Sequence, residues 1–175
     1  MNIILRKADQ YATCDPVKLS AEYTSQISDQ DLVMEMDVLE NGQCVIVEWD
    51  DVKAPVDANS KVFLNVTPCE IYDNVAGRNT FAVKKGKGSL PRLFALNQTD
   101  EFQTNAVFYD DAEFATLADL KTTIKNKEVV ALADASMNWK LTNKANLTGN
   151  EKVYGMVKKF VALSNEEDGV LIEIA

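Results

Sequence analysis

The C-terminal stretch KVYGMVKKFVALSNEEDGVLIEIA, Lys152 to Ala175, holds two apolar runs on either side of the polar patch SNEEDG. A polar patch ending in glycine between two such runs reads as a turn between strands. Tyr154–Leu163 and Val170–Ile174 are therefore predicted to pair antiparallel across Ser164–Gly169. Side chains alternate between faces along a strand, so Val170, Ile172 and Ile174 share one face while Leu171 and Glu173 take the other. The first set is predicted to be core or subunit interface, and Glu173 to be wet. Gly169 is expected to supply a backbone angle that other residues resist.

The same pattern continues upstream. NIILRK, VKLSAEY, LVMEMDVL, CVIVEW and KVFLNV are short and rich in β-branched or aromatic residues. In VMEMDVLE, residues 33–40, apolar and acidic positions alternate from Met34 to Val38, the mark of a strand with one wet face. Asn41-Gly42 follows, and both residues tolerate positive φ, which predicts a hairpin pairing 33–40 with 43–49. FAVKK, RLFAL, EFQTNAVFY, EVVALAD and NWKLT add further strands. About a dozen strands at roughly 10–15-residue spacing predict a mainly β fold, an antiparallel barrel or sandwich.

One segment departs from this pattern. DDAEFATLADLKTTIKNK, Asp110 to Lys127, sets Phe114, Leu117, Leu120 and Ile124 at helical spacing. Asp110 or Asp111 is placed to cap the first turn, and Lys121, Lys125 and Lys127 suit the other end of the dipole. The prediction is one α-helix over about 110–126 that covers a sheet face or plugs a barrel mouth. No repeat or low-complexity linker is evident. The chain reads as a single β-rich domain, 1–175. VKAPVDANS, residues 52–60, is a soft point that would set an N-terminal hairpin unit, 1–54, apart from a main body, 61–175.

Composition bounds the function. With 46% apolar and 26% charged residues in 175, the chain is globular and long enough for a full core without staples. No apolar run approaches the length of a membrane span, and the N-terminus lacks the charge-first layout of a signal peptide. Synthesis in a cytoplasm is the expectation. Lys plus Arg is 18 against 27 Asp plus Glu, a net charge of −9. That balance opposes nucleic-acid binding, and it suits both solubility and docking on a basic surface. Cys14, Cys44 and Cys69 match no zinc spacing and are expected to be free thiols, with Cys44 a small core residue. The sequons at Asn65, Asn97 and Asn146 are read as coincidental.

Chemistry is sparse. The chain has no histidine, which removes the commonest general base and transition-metal ligand, and with them Ser-His-Asp and Cys-His mechanisms. KKGKGS, residues 84–89, lacks the glycine spacing of a phosphate loop and reads as a basic hairpin turn. Its Lys84, Lys85 and Lys87 are candidate contacts for an acidic partner surface. Asn165 to Gly169 lacks the alternation of a calcium loop. Trp49 and Trp139 stand in strand-like contexts and are expected to pack in the core or at an interface. No catalytic, cofactor or metal residues are assigned.

The C-terminal hairpin resembles the ends of small bacteriophage head proteins: capsid decoration, or cement, proteins and head-fibre bases. Gly155, Val157, Ala162, Gly169, Val170, Ile172 and Ile174 match that layout. Within Glu70 to Val107, Arg92, Asp100, Phe102 and Thr104 fit segments of phage head proteins. The resemblance implies a β-rich, usually trimeric, non-enzymatic module on the outside of a virion, bound to the major capsid protein and stabilising the shell. Tyr154, Val170, Ile172 and Ile174 are the apolar candidates for its assembly interface.

Two other readings compete. A receptor- or carbohydrate-binding module of a phage fibre or tail would expose several aromatic residues on one face. A carboxylate-based hydrolase would line a cleft with two acidic residues about 5–10 Å apart.

Overall fold

The C-terminal hairpin forms, and it lies inside the larger of two sheets. In the computed structural model β15 (Val153–Ala162) and β16 (Asp168–Ile174) pair antiparallel from Gly155↔Ile174 to Ala162↔Asp168, with a bulge between Val157 and Lys159. The other side of β16 pairs with β11 (Glu101–Thr104), so the last strand is an interior one. The structure describes residues 1–7, 10–23, 33–56, 60–67, 82–85, 91–149, 151–164 and 167–175, with backbone only for Lys125 and Asn126.

Five more strands complete this eight-stranded sheet: β1 (Asn2–Ile4), β2 (Cys14–Lys18), β12 (Val107–Asp110), β13 (Val129–Ala133) and β14 (Trp139–Asn143) join the three above in the order β1-β12-β14-β13-β15-β16-β11-β2. A second, six-stranded sheet runs β3 (Ala21–Glu22), β10 (Leu93–Ala95), β8 (Phe63–Asn65), β6 (Cys44–Glu48), β7 (Asp51–Lys53), β4 (Val33–Met34). A two-stranded ribbon pairs β5 (Val38–Leu39) with β9 (Val83–Lys84). The result is mainly β and sandwich-like, without a closed barrel. Most pairs are antiparallel; β12–β14 and β4–β7 are parallel.

The main core lies where the two sheets share side chains. Phe102, Trp139, Val170, Ile172 and Ile174 come from the larger sheet, and Cys44, Ile46, Leu64 and Phe94 from the smaller. The rings of Phe102 and Tyr154 stand 5.7 and 5.8 Å from that of Trp139, the second edge-on. A second, smaller core joins Val45, Val52, Phe63 and Leu93 to Leu39 and Val83 of the ribbon. Residues 1–54 contribute strands to both sheets, with β1 and β2 paired to β12 and β11 and β6 paired to β8.

The helix is shorter than its apolar spacing suggests. α1 spans Leu117–Asn126, capped by Thr116, whose side chain accepts from Asp119 N. Leu120 and Ile124 still reach the main core, as does Phe114 from the preceding turn. Asp110 and Asp111 do not cap it; both bind the amino group of Met1. Glu113 accepts from Thr142 Oγ1 and Asn143 N, tying the turn to β14.

The predicted hairpin across Asn41-Gly42 does not form. The turn exists, with Gly42 at φ +86°, but β4 pairs with β7, β5 with β9, and β6 with β7 and β8. Long-range bonds explain the difference. Gly42 N donates to Asn65 O, the Asn41 side chain binds Thr67 N and O, and Trp139 Nε1 donates to Gly42 O. A Cβ on Gly42 would stand 2.0 Å from Thr104 Oγ1. The turn is thus the buried junction of the two sheets. Glu40 extends it, accepting from Ala12 N and pairing with Arg6 at 3.0 Å.

Three smaller expectations also change. EFQTNAVFY divides into β11 and β12 at the buried Asn105, which bonds Thr13 N and Glu167. VKLSAEY divides between β2 and β3, one in each sheet. Gly169 has no positive φ; it sits within β16, and a Cβ there would meet the Leu163 side chain at 2.6 Å.

Candidate interaction surface

The predicted apolar interface residues belong to the interior of the chain. Val170 and Ile172 are fully buried, Ile174 and Tyr154 nearly so, and all four lie in the main core. Tyr154 also donates to Ser60 O at 3.0 Å. Val170, Ile172 and Ile174 present no surface to a partner, because the larger sheet packs that face of β16 against the smaller one, while Tyr154 lines a cleft. Leu171, on the other face, is buried too, while Glu173 is half-exposed and bonded to Lys158 at 2.8 Å. Lys84 and Lys85 are exposed at the ribbon. Lys87, the rest of KKGKGS and Cys69 lie outside the described residues. Cys14 and Cys44 are free and buried, and burial pushes both thiols up.

Trp49 is where expectation and structure part most. Trp139 is core, but Trp49 is 97% exposed. It occupies the two-residue turn between β6 and β7, whose strands close at Glu48↔Asp51. Its φ is +57°, a region that bulky residues rarely enter. Val33 sits beside it, 53% exposed, with its N–H bonded to Asp50 O at 2.8 Å. Glu48, Asp50 and Asp51 make the tip acidic. Lys53 pairs with Glu48 at 3.1 Å and Glu35 at 3.5 Å, and the Glu48 hydrogen bond holds its ammonium pKa above the usual value. The sequence signal for this tip was Asp50-Asp51, a turn pair at the end of an apolar run.

The sheets are open, and three exposed aliphatic residues mark their edges: Ile4 on β1, Val17 on β2 and Val33 on β4. β2 is guarded by Pro16 and Lys18, which discourage further pairing. β1 has no such guard.

A cleft of about 330 Å³ opens near the end of β13. Pro55, Val56, Phe108, Leu132, Ala133 and Tyr154 form its apolar lining, and Lys140 and Lys152 bring two ammonium groups to the wall. Lys152 lies over the Tyr154 ring at 4.9 Å. Asp134 and Glu151 also line it, yet both serve turns: Asp134 accepts from Ser136 N and Oγ, and Glu151 from Thr148 N and Oγ1. Burial raises the Asp134 pKa. Each of the two carboxylates caps a loop at the cleft wall. Among the described residues Trp49 is the sole aromatic in the set of exposed large hydrophobics, so no aromatic platform for sugar rings is built. Also among them, no three His, Cys, Asp or Glu side chains gather as a metal site, and no helix is long and apolar enough to cross a membrane.

No protein-family model, curated protein or solved structure matches the chain.

Proposed function

We propose that the protein is a non-enzymatic structural protein that binds the outside of a phage capsid as a decoration or head-associated module and stabilises the shell. Its partner in this reading is the major capsid protein, and its copies act together as an oligomer, a trimer in the family it resembles. The observation that supports the reading best is the open pair of sheets with aliphatic side chains at their edges, Ile4, Val17 and Val33. Exposed edges are templates for pairing with another chain. The resemblance of the C-terminal hairpin supplies the identity of that other surface, and the net charge of −9 suits a basic one.

Co-sedimentation with undecorated phage shells tests the proposal. The expected result is saturable pelleting of the parent protein and its loss on Ile4→Lys, which charges the unguarded edge. A parent protein that stays in the supernatant at every shell concentration overturns it.

A further inference from the structure

We propose that copies of this protein join head to tail, the Trp49 turn of one copy entering the cleft of about 330 Å³ beside Val56 on the next. This contact goes beyond binding to a shell and does not require one.

The knob has two independent marks. Its indole is almost wholly exposed, which is the costliest position for the largest apolar side chain. Its backbone also adopts positive φ, and a β-carbon-bearing bulky residue holds such a conformation only when its surroundings enforce it. The hairpin closure at Glu48↔Asp51 and the Val33–Asp50 bond supply that enforcement, and they leave the ring projecting from the sheet. A turn whose backbone is fixed in advance loses little backbone freedom on docking.

The slot complements it in size and charge. A space of this volume lies at the small end of the range for ligand pockets, about 300–1,000 Å³, and so suits one large side chain with its neighbours. Val56, Leu132 and Tyr154 offer apolar walls, with the Lys152 ammonium over the Tyr154 ring at 4.9 Å. Around the indole stand Glu48, Asp50 and Asp51; around the slot stand Lys140 and Lys152. The slot's own acids, Asp134 and Glu151, are hydrogen-bonded in turns to Ser136 and Thr148, and Lys140 also acts on the Asp134 carboxylate, so Lys152 is the ammonium that meets the acidic tip.

Knob and slot occupy different parts of one surface, so their contact is heterologous. Such contacts close into a ring where the rotation allows it and otherwise run as a filament. The ring form accommodates the trimer that the resemblance implies.

Purified protein alone suffices for the test. Light scattering across the micromolar range should show the parent above its monomer mass of 19.4 kDa, with Trp fluorescence shifting to the red on dilution as Trp49 becomes wet. Trp49→Ala removes the knob, and Val56→Asp sets a carboxylate in the mouth of the slot at a position already 72% exposed. Each variant alone should be monomeric, and Trp49→Phe should restore part of the association. Mixed in equal amounts, the Ala and Asp variants should form a one-to-one dimer, since one retains the slot and the other the knob. A monomeric parent, a Trp49→Ala variant that associates like the parent, or a mixture that stays monomeric while the parent associates overturns the inference. These outcomes are read without shells, so they separate from the co-sedimentation result.

Discussion

β15 and β16 run for ten and seven residues in the larger sheet, whereas no strand of the smaller sheet among the described residues exceeds five. The main core beneath the larger sheet gathers twenty-two buried side chains, and the second core, on the far side of the smaller sheet, gathers seven. Length and burial reinforce each other here. A long strand sends every second residue to the same core, and each neighbour it pairs with does likewise. The smaller sheet compensates through polar bonds to the larger one and its flank: Gly42 O accepts from Trp139 Nε1, and Glu40 accepts from Ala12 N just before β2. One half of the molecule is therefore held mainly by apolar packing and the other by packing plus a specific buried turn. The exposed Trp49 belongs to the second half, far from what consolidates the first.

The hardest way to break this contrast is to remove the strand on which the larger sheet depends. Truncation after Asp168 deletes Val170, Leu171, Ile172 and Ile174, all buried. At about 1.5–3 kcal/mol for each such side chain, the loss is comparable to the whole stability of a typical domain, about 5–15 kcal/mol. It also strips β15 and β11 of their common partner. The truncated chain should show no cooperative thermal transition by circular dichroism. A parent-like melt would mean that the larger sheet does not organise the fold.

The terminal hairpin was legible because its information is local: two apolar runs, a short polar turn, and period-two alternation that places Val170, Ile172 and Ile174 together. The helix was half legible. Apolar spacing located Leu117 to Ile124, but the upstream stretch satisfied the same spacing while Glu113 found a better partner in Thr142 and Asn143. The Asn41-Gly42 turn was read in the right place with the wrong neighbours, because its bonds run to Asn65, Thr67 and Trp139, and local alternation says nothing of such distant partners. The apolar face of the hairpin was read as core or subunit interface, and burial assigns it to the core. A strand's apolar face reads the same whether it meets its own core or another subunit. Trp49 was given core or interface packing in a strand because a strand-like run extends through it; it stands in a turn outside the core, and the turn signal in Asp50-Asp51 is weaker than the run before it.

A milder intervention separates the two halves. Gly42→Ala forces a Cβ onto a residue at φ +86° and into Thr104. Strain of about 1–3 kcal/mol follows from the backbone alone. Because the turn joins the sheets, the cost should fall unevenly. Amide exchange in β6 and β8 should accelerate by a larger factor than exchange in β15 and β16. Uniform acceleration in both sheets would show that the molecule opens as one unit and that the contrast is only geometric.

The smallest effects lie in surface charge, where each sheet carries an ion pair whose contribution is lost as either partner discharges. On the larger sheet Glu173 accepts from Lys158, and that hydrogen bond, with a second one involving Glu101, holds its carboxyl below the usual range. A depressed folded pKa contributes stability that is present above the unfolded pKa and is lost as pH falls through the folded one. On the smaller sheet Lys53 is raised, first by Glu48 and then by Glu35. Its contribution is complete below the unfolded lysine pKa and disappears as pH rises through the folded one. Glu173→Gln should therefore lower Tm slightly at neutral pH, and the gap from the parent should close towards acid. Lys158, raised in turn by Glu173, closes the same gap towards alkali, and the Lys53→Met gap should also close towards alkali. Both pairs are exposed enough for salt to screen them, so raising ionic strength should shrink both gaps. Melts of the three proteins from acid to alkaline pH make the check. Gaps that stay constant across the range would assign the two residues a packing role and remove charge from the comparison of the sheets.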